Sequence, residues 1–118
     1  MSDAAHSREH YRLRYPVLAR PRLTVGARVT VGVHEFAVTE LSEGGCRVLW
    51  EPEWGSCFVT PSQVVFRFHD GTQVGTLATQ LRIDDGEVVL ALEPPVSLKV
   101  IMAEQRRVLK EFPRGTSN

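Results

Sequence analysis

The chain has 118 residues, of which 42% are hydrophobic and 24% charged, and this length and balance fit one globular domain with one core. Its net charge is zero, which argues against a general binder of nucleic acid or of membrane surfaces. The first residues lack the apolar core of a secretion signal, no apolar run approaches membrane-spanning length, and two cysteines are too few for a disulfide framework, so a cytoplasmic protein is expected.

The N-terminal segment is basic. Residues 1–28 hold six arginines and two acids, a local charge of +4, so the remaining residues sum to −4. Pro16 and Pro21 bias their preceding residues away from helix. We therefore predict a flexible, irregular, arginine-rich arm over residues 1–20, and a local anion site rather than a coat for polyanions.

Residues 21–93 have the pattern of short strands separated by turns. The predicted strands are Arg22–Val31, His34–Leu41, Cys46–Trp50, Val64–His69, Val74–Ile83 and Val88–Leu92. Turn signals stand at residues 32, 43–45, 70–71 and 84–86, and a loop is expected over residues 52–61. Short strands with Asp-Gly and Gly-Gly turns predict an all-β domain, an antiparallel barrel or sandwich.

A helix is predicted over residues 97–112. Ser97 can cap its start and Pro113 ends it. Its apolar stripe is expected to comprise Leu98, Ile101, Met102, Leu109 and Phe112. This stripe could cap the barrel or pair with a second copy of the chain, and capping is the preferred interpretation. The chain is thus expected to form a single domain, residues 1–118.

Two clusters carry candidate binding chemistry. Arg8 and Arg12 lie four residues apart, and the planar fork of arginine fits phosphate oxygens or the edge of guanine. Glu40, Ser42 and Gly45 lie at the predicted hairpin turn, where a glycine allows close approach to the backbone. Each cluster also has an ordinary interpretation: solvated charge on a loose tail for the arginines, and a common hairpin turn for the second cluster.

Taken together, the two clusters resemble the PilZ family. The family signature is Arg-x-x-x-Arg followed by Asp/Asn-x-Ser-x-x-Gly, on a six-stranded antiparallel barrel with a C-terminal helix. The first element matches Arg8 and Arg12, and the second matches Ser42 and Gly45. Glu40 stands where the family usually has Asp or Asn. The resemblance covers about residues 8–112.

The resemblance implies a cyclic di-GMP receptor without catalytic activity that signals through contacts with a downstream protein. Arg8 and Arg12 would contact phosphates and guanine edges as the arm closes over the ligand. Ser42 and Glu40 would contact guanine polar atoms, and Gly45 would leave room. Glutamate is one methylene longer than aspartate, so a weakened or shifted contact is expected. Ser7, where dimer-binding members often have arginine, favours a single bound nucleotide.

Other functions have less support. A PilZ-like barrel that has lost the nucleotide and acts only as a protein adaptor is the main alternative, and Glu40 favours it. A small-barrel nucleic-acid binder would use the basic arm, but the zero net charge disfavours it. His6 and His10 lack further ligands at usable spacing, so no metal site is expected. No catalytic motif and no cofactor are predicted, and a monomer or weak homodimer is expected.

Overall fold

A computed structural model describes residues 12–26, 34–58 and 60–113, excluding the side chains of residues 56 and 57. The strands are β1 (Leu13–Arg14), β2 (Arg22–Val25), β3 (Glu35–Leu41), β4 (Gly45–Leu49), β5 (Ser62–Arg67), β6 (Gln73–Asp84) and β7 (Glu87–Glu93). The helices are α1 (Trp54–Cys57) and α2 (Leu98–Glu111), with a 3-10 turn at Val17–Ala19. None of the helices described is long and apolar enough to cross a membrane.

Six of the strands close into an antiparallel barrel. Their order is β3-β2-β5-β6-β7-β4, and pairing between β3 and β4 closes the ring. β1 adds to β3 beside the end of β2. The prediction of a six-stranded antiparallel barrel with a C-terminal helix is confirmed.

The core fills the barrel because apolar residues alternate along the strands. Phe36 and Phe66 are its largest fully buried side chains. The predicted loop after β4 contains α1, whose Trp54 is only 2% exposed. The Trp54 ring packs edge-on against Phe36 at 4.9 Å between centroids, and its indole Nε1 donates a 2.8 Å hydrogen bond to Gln80 Oε1. The Trp54 side chain of α1 is therefore part of the hydrophobic core.

The N-terminal segment differs from the irregular arm predicted over residues 1–20. Leu13 is paired in β1, and Leu13, Tyr15 and Ala19 are buried in the core cluster. Apolar side chains alternate with arginines here, so one face of the segment can pack on the barrel while the other stays in solvent. The prediction of an irregular arm is wrong for residues 13–19, and residues 1–11 lie outside the described part of the chain.

β2 ends earlier than the predicted strand Arg22–Val31. The described strand stops at Val25, and Gly26 has φ +93°, a left-handed conformation that suits glycine and ends regular pairing. The remainder of that predicted strand and its turn, residues 27–33, falls outside the described residues.

α2 packs against the barrel through a stripe that matches the predicted one only in part: Ile101 and Phe112 belong to both. Ser97 Oγ accepts from the amide of Lys99 at 3.1 Å, as expected for the cap. The buried residues of α2 are Ile101, Glu104 and Val108, whereas Leu98 and Leu109 are 38% and 50% exposed. The packed stripe is rotated relative to the predicted one and includes a buried glutamate, Glu104. Ile101 and Val108 join the barrel core, so the helix caps the barrel.

Candidate functional site

The pairing of β1 with β3 brings the arginine-rich segment beside the β3–β4 hairpin. Leu13 pairs with Leu41, and Arg14 pairs with Glu40. The same antiparallel register, continued by one residue, sets Arg12 opposite Ser42. Leu13 and Leu41 are both buried, so the alternating residues beside them point away from the core. Arg12, Glu40 and Ser42, which were predicted as site residues, therefore share one outer face of the barrel.

Arg12 supplies the available positive charge on this face. Its side chain is exposed, and it forms no ion pair with any carboxylate that the structure describes. Arg8, its predicted companion, lies outside the described residues, so the structure places one arginine of the Arg-x-x-x-Arg element. An exposed guanidinium of this kind can donate two hydrogen bonds to a phosphate or to a base edge in a bidentate contact.

Ser42 is held by its own hairpin. Its amide donates to the carbonyl oxygen of Gly45 at 2.9 Å, and its hydroxyl donates to the same oxygen at 3.2 Å. This is the ordinary turn geometry that the sequence left open as an alternative. The hydroxyl oxygen still has lone pairs that can accept a hydrogen bond from a ligand.

Gly45 is required by a close approach of two strands. It opens β4 and pairs with Ala91 of β7. A Cβ built at Gly45 would lie 2.7 Å from the carbonyl oxygen of Leu90, which is closer than ordinary contact allows. The absence of a side chain therefore has a structural reason that does not depend on a ligand.

Charged side chains from four strands form a network beside the hairpin. The Arg14 guanidinium donates to both carboxylate oxygens of Glu87, at 3.0 Å and 2.6 Å. Arg47 lies 3.5 Å from Glu87 and 3.2 Å from Asp84. The hydrogen bond from Arg14 is the main cause that lowers the pKa of Glu87, despite its burial. This network fixes Arg14 at the edge of the candidate site.

Glu40 is the carboxylate of the site that is only loosely held. Its Oε1 lies 3.8 Å from Arg14 Nη1, too far for a hydrogen bond, and its side chain is 20% exposed. Arg14 therefore donates its hydrogen bonds to Glu87 and supplies a positive charge beside Glu40. Sequence analysis missed Arg14 and Glu87 in this role. The only local signal was the spacing of Arg12 and Arg14, which places both on one face of a strand.

The face therefore offers a guanidinium, a carboxylate and a hydroxyl within two neighbouring strands. Such a set can contact an anion together with a polar ring edge. Within the described ranges no group of three or more His, Cys, Asp or Glu side chains could hold a metal ion. His6 and His10 lie outside those ranges.

The fold is similar to solved PilZ domains. The PilZ domain with c-di-GMP of YcgR from Escherichia coli superposes with a TM-score of 0.58 at 18% identity, covering 90% of this chain and 93% of that one. The PilZ domain of CeSA from a cellulose-synthesizing bacterium has a TM-score of 0.45 at 20% identity, covering 85% and 96%. No model of a known protein family matches the sequence, and no curated protein matches it. The likeness to the YcgR domain shows that this chain has the PilZ-domain fold.

Proposed function

We propose that this protein is a cyclic di-GMP receptor of the PilZ type, without catalytic activity, that binds its ligand on the outer face formed by β1, β3 and β4. The observation that carries the proposal is the β1–β3 register, which pairs Leu13 with Leu41 and Arg14 with Glu40 and which, continued by one residue, sets Arg12 beside Ser42. Arg12 and Ser42 are thirty residues apart in sequence, and the register of the described strands supports a common surface for them. The similarity of the fold to the YcgR domain, whose structure contains c-di-GMP, supports the same function.

In the proposed complex the arginines provide most of the binding energy. Arg8 and Arg12 contact phosphates and guanine edges through their planar forks, because these fit two acceptors at once. Ser42 and Glu40 contact polar atoms of a guanine from the barrel surface. Arg14, 3.8 Å from Glu40, adds positive charge beside the longer carboxylate. Gly45 has a second role besides leaving room for a base, because it lets β4 lie close to β7.

The signal is proposed to pass to a downstream protein in the cytoplasm. Leu13, Tyr15 and Ala19 already pack on the barrel, so the proposed ordering on ligand binding concerns the chain before Leu13. An ordered arm would change the surface shown to a partner, as in other disorder-to-order switches. This function requires no cofactor.

An adaptor that does not bind nucleotide is the second candidate. Two observations favour it: Glu40 departs from the family pattern, and the Ser42 hydroxyl already donates to Gly45. In that case the barrel would act by protein contact alone. The two candidates differ in a single measurable property, the affinity for cyclic di-GMP.

Isothermal titration of the full chain with cyclic di-GMP, with GTP and GMP as controls, tests the proposal. We expect saturable binding of cyclic di-GMP alone, at roughly micromolar to tens of micromolar concentration, with one nucleotide per chain. Arg12→Ala should weaken it by about tenfold or more, since it removes a charged hydrogen-bonding group. Arg106→Ala, an exposed arginine of α2, is the matched control and should bind as the parent does.

Three results would each contradict a different part of the proposal. Absence of heat with cyclic di-GMP at these concentrations would favour the adaptor. Equal affinities for the Arg12 and Arg106 variants would overturn the site. Two nucleotides per chain would contradict the single-ligand expectation drawn from Ser7.

A further inference from the structure

A second surface of the barrel combines positive charge with exposed apolar side chains. It is a groove of about 480 Å³ between the 3-10 turn, the start of β2 and the end of β5. Its lining residues are Val17, Leu18, Arg20, Pro21, Arg22, Ala37, Arg67, Phe68 and His69. We call it the cationic groove. None of the predicted site residues that the structure describes lines it.

The apolar rim of the groove is built into the fold. The chain leaves β3 after the Tyr15 amide bonds to Thr39, and rejoins it where Pro21 accepts from Val38, both at 2.9 Å. The intervening turn projects Val17 and Leu18 into solvent, where they are 69% and 79% exposed. Ala19 beside them is 1% exposed. These two apolar side chains are thus presented from an anchored turn.

α2 holds the same turn from behind. Tyr15 donates a 2.8 Å hydrogen bond to Glu104, and Arg107 bonds to Glu104 and to the carbonyl oxygen of Ala19, at 3.0 Å and 3.4 Å. These contacts join both ends of the turn to the helix. A partner would therefore meet a preformed rim and would lose little entropy in ordering it.

Two of the three guanidiniums that line the groove, those of Arg20 and Arg22, are not balanced by carboxylates of the described residues. Arg22 and Arg67 are direct neighbours across β2 and β5, an arrangement in which like charges repel. Arg67 pairs with Glu35 at 2.8 Å, whereas neither Arg20 nor Arg22 has an ion pair with any acid that the structure describes. Arg20 Nε is buried and has no hydrogen-bond partner among the residues that the structure describes. Anionic groups from outside can pair with Arg22, which is exposed, and with the part of Arg20 that lines the groove.

The groove is separate from the proposed nucleotide face. Along β3, Ala37 pairs with Arg22 and Glu40 pairs with Arg14. These positions are three residues apart, about 10 Å along a strand, and the projecting turn stands between them. The groove thus lies close enough to be a neighbouring surface, but it uses different residues.

We propose that the cationic groove binds an acidic segment of a partner protein, with large apolar side chains against Val17 and Leu18 and carboxylates on Arg20 and Arg22. The combination of charge and apolar rim fits a peptide better than a small anion, which would leave the rim exposed. A nucleic acid fits less well because its sugar-phosphate backbone has no large apolar side chain to cover the exposed Val17 and Leu18. This surface is one that a downstream partner can use.

Fluorescence anisotropy of the full, nucleotide-free chain tests the proposal. The probe is a fluorescein-labelled peptide with the core Glu-Leu-Leu-Glu, compared with Lys-Leu-Leu-Lys and Glu-Ser-Ser-Glu. Only the first should bind, at roughly tens to hundreds of micromolar, and more weakly as salt rises. Arg22→Glu and Leu18→Ser should each weaken binding by about tenfold, corresponding to about 1.4 kcal/mol.

Arg106→Glu and Leu109→Ser are matched controls, since they make the same changes at exposed positions of α2, and both should bind as the parent does. All four variants alter exposed side chains, and unchanged melting temperatures would verify their folding. Equal binding of the three peptides, no binding of any, or equal loss in groove and control variants would overturn the proposal.

Sedimentation of the protein alone identifies the other possible occupant. Self-association that Arg22→Glu abolishes would make a second copy of the chain the occupant and refute the partner segment. Because all these measurements omit nucleotide, their outcome is independent of the proposed cyclic di-GMP site.

Discussion

Replacement of Gly45 by alanine separates a structural role of the hairpin glycine from a role in ligand binding. The new Cβ would lie 2.7 Å from the carbonyl oxygen of Leu90, and that atom belongs to the backbone of the neighbouring strand. A flexible side chain could turn aside, but a strand backbone moves only with its ladder. The ligand-free protein should therefore lose stability.

The cost follows from the shift that the contact demands. Ordinary van der Waals contact begins near 3.4 Å, so β4 and β7 must separate locally by several tenths of an ångström. Overpacking of this kind costs about 1–3 kcal/mol. A chain of 118 residues has an unfolding entropy of about 0.25 kcal/mol/K. The expected fall in melting temperature is thus about 4–12 °C.

Gly44→Ala is the matched control. The neighbouring glycine has no atom within 4 Å of a built Cβ, so alanine there should change stability by less than about 1 kcal/mol. Urea denaturation of the two variants and the parent, without nucleotide, gives the comparison directly. Equal stability of Gly45→Ala and Gly44→Ala would refute the packing role of Gly45.

Three further predictions concern buried polar groups. Tyr15→Phe removes the donor to Glu104 and should lower the free energy of unfolding by about 1–3 kcal/mol. Because burial raises the pKa of Tyr15 in the folded protein, the parent should also lose stability above pH 10, where the unfolded chain loses the tyrosine proton. The variant should lose less stability over the same pH range. An unchanged urea midpoint and alkaline profile would contradict this. Arg14 lowers the pKa of Glu87 in the folded protein, so the Glu87 carboxylate takes up a proton in the unfolded chain first as pH falls. The parent should therefore lose stability below about pH 4.5. Glu87→Gln should be less stable than the parent by about 1 kcal/mol at neutral pH and should lose less stability on acidification. Parallel pH profiles of the two proteins would argue against that contribution. Burial also raises the pKa of the Cys46 thiol, so iodoacetamide should label Cys46 only in the unfolded protein, as peptide mapping by mass spectrometry would reveal; rapid labelling in the fold would be inconsistent with its burial.

Much of the barrel could be predicted because its signals are local. Asp85 and Gly86 have φ +57° and +76°, as a tight hairpin turn requires, and the sequence Asp-Asp-Gly predicts that turn. The cap of α2 at Ser97 is equally local. Each of these features depends on neighbouring residues, so the sequence is sufficient to locate it.

Other features depend on distant partners and could not be predicted in this way. β1 has only two residues, and its pairing with β3 rather than its own propensity keeps it extended. The packed stripe of α2 includes Glu104, whose burial is compensated by Arg107 on the same helix and by the hydroxyl of Tyr15, 89 residues away in sequence. A glutamate on an apolar stripe is a solvated residue in most sequences, so the predicted stripe was displaced.

The candidate site shows the same division. The resemblance identified Arg12, Glu40 and Ser42, but their common face results from a register between segments that no local pattern specifies. Arg14 and Glu87 are 73 residues apart, and only the closed barrel brings them together. The position of the Arg14 guanidinium beside Glu40 therefore follows from the structure and could not be predicted from the sequence.

An NMR titration of the isotope-labelled chain with cyclic di-GMP tests the central claim most directly. The account predicts amide shift changes at residues 12–14 and 40–45, with the cationic groove residues Arg22 and Arg67 unaffected. Saturation at these positions would place the ligand on the outer face formed by β1, β3 and β4. Shift changes centred on the groove, or none at saturating nucleotide, would contradict it.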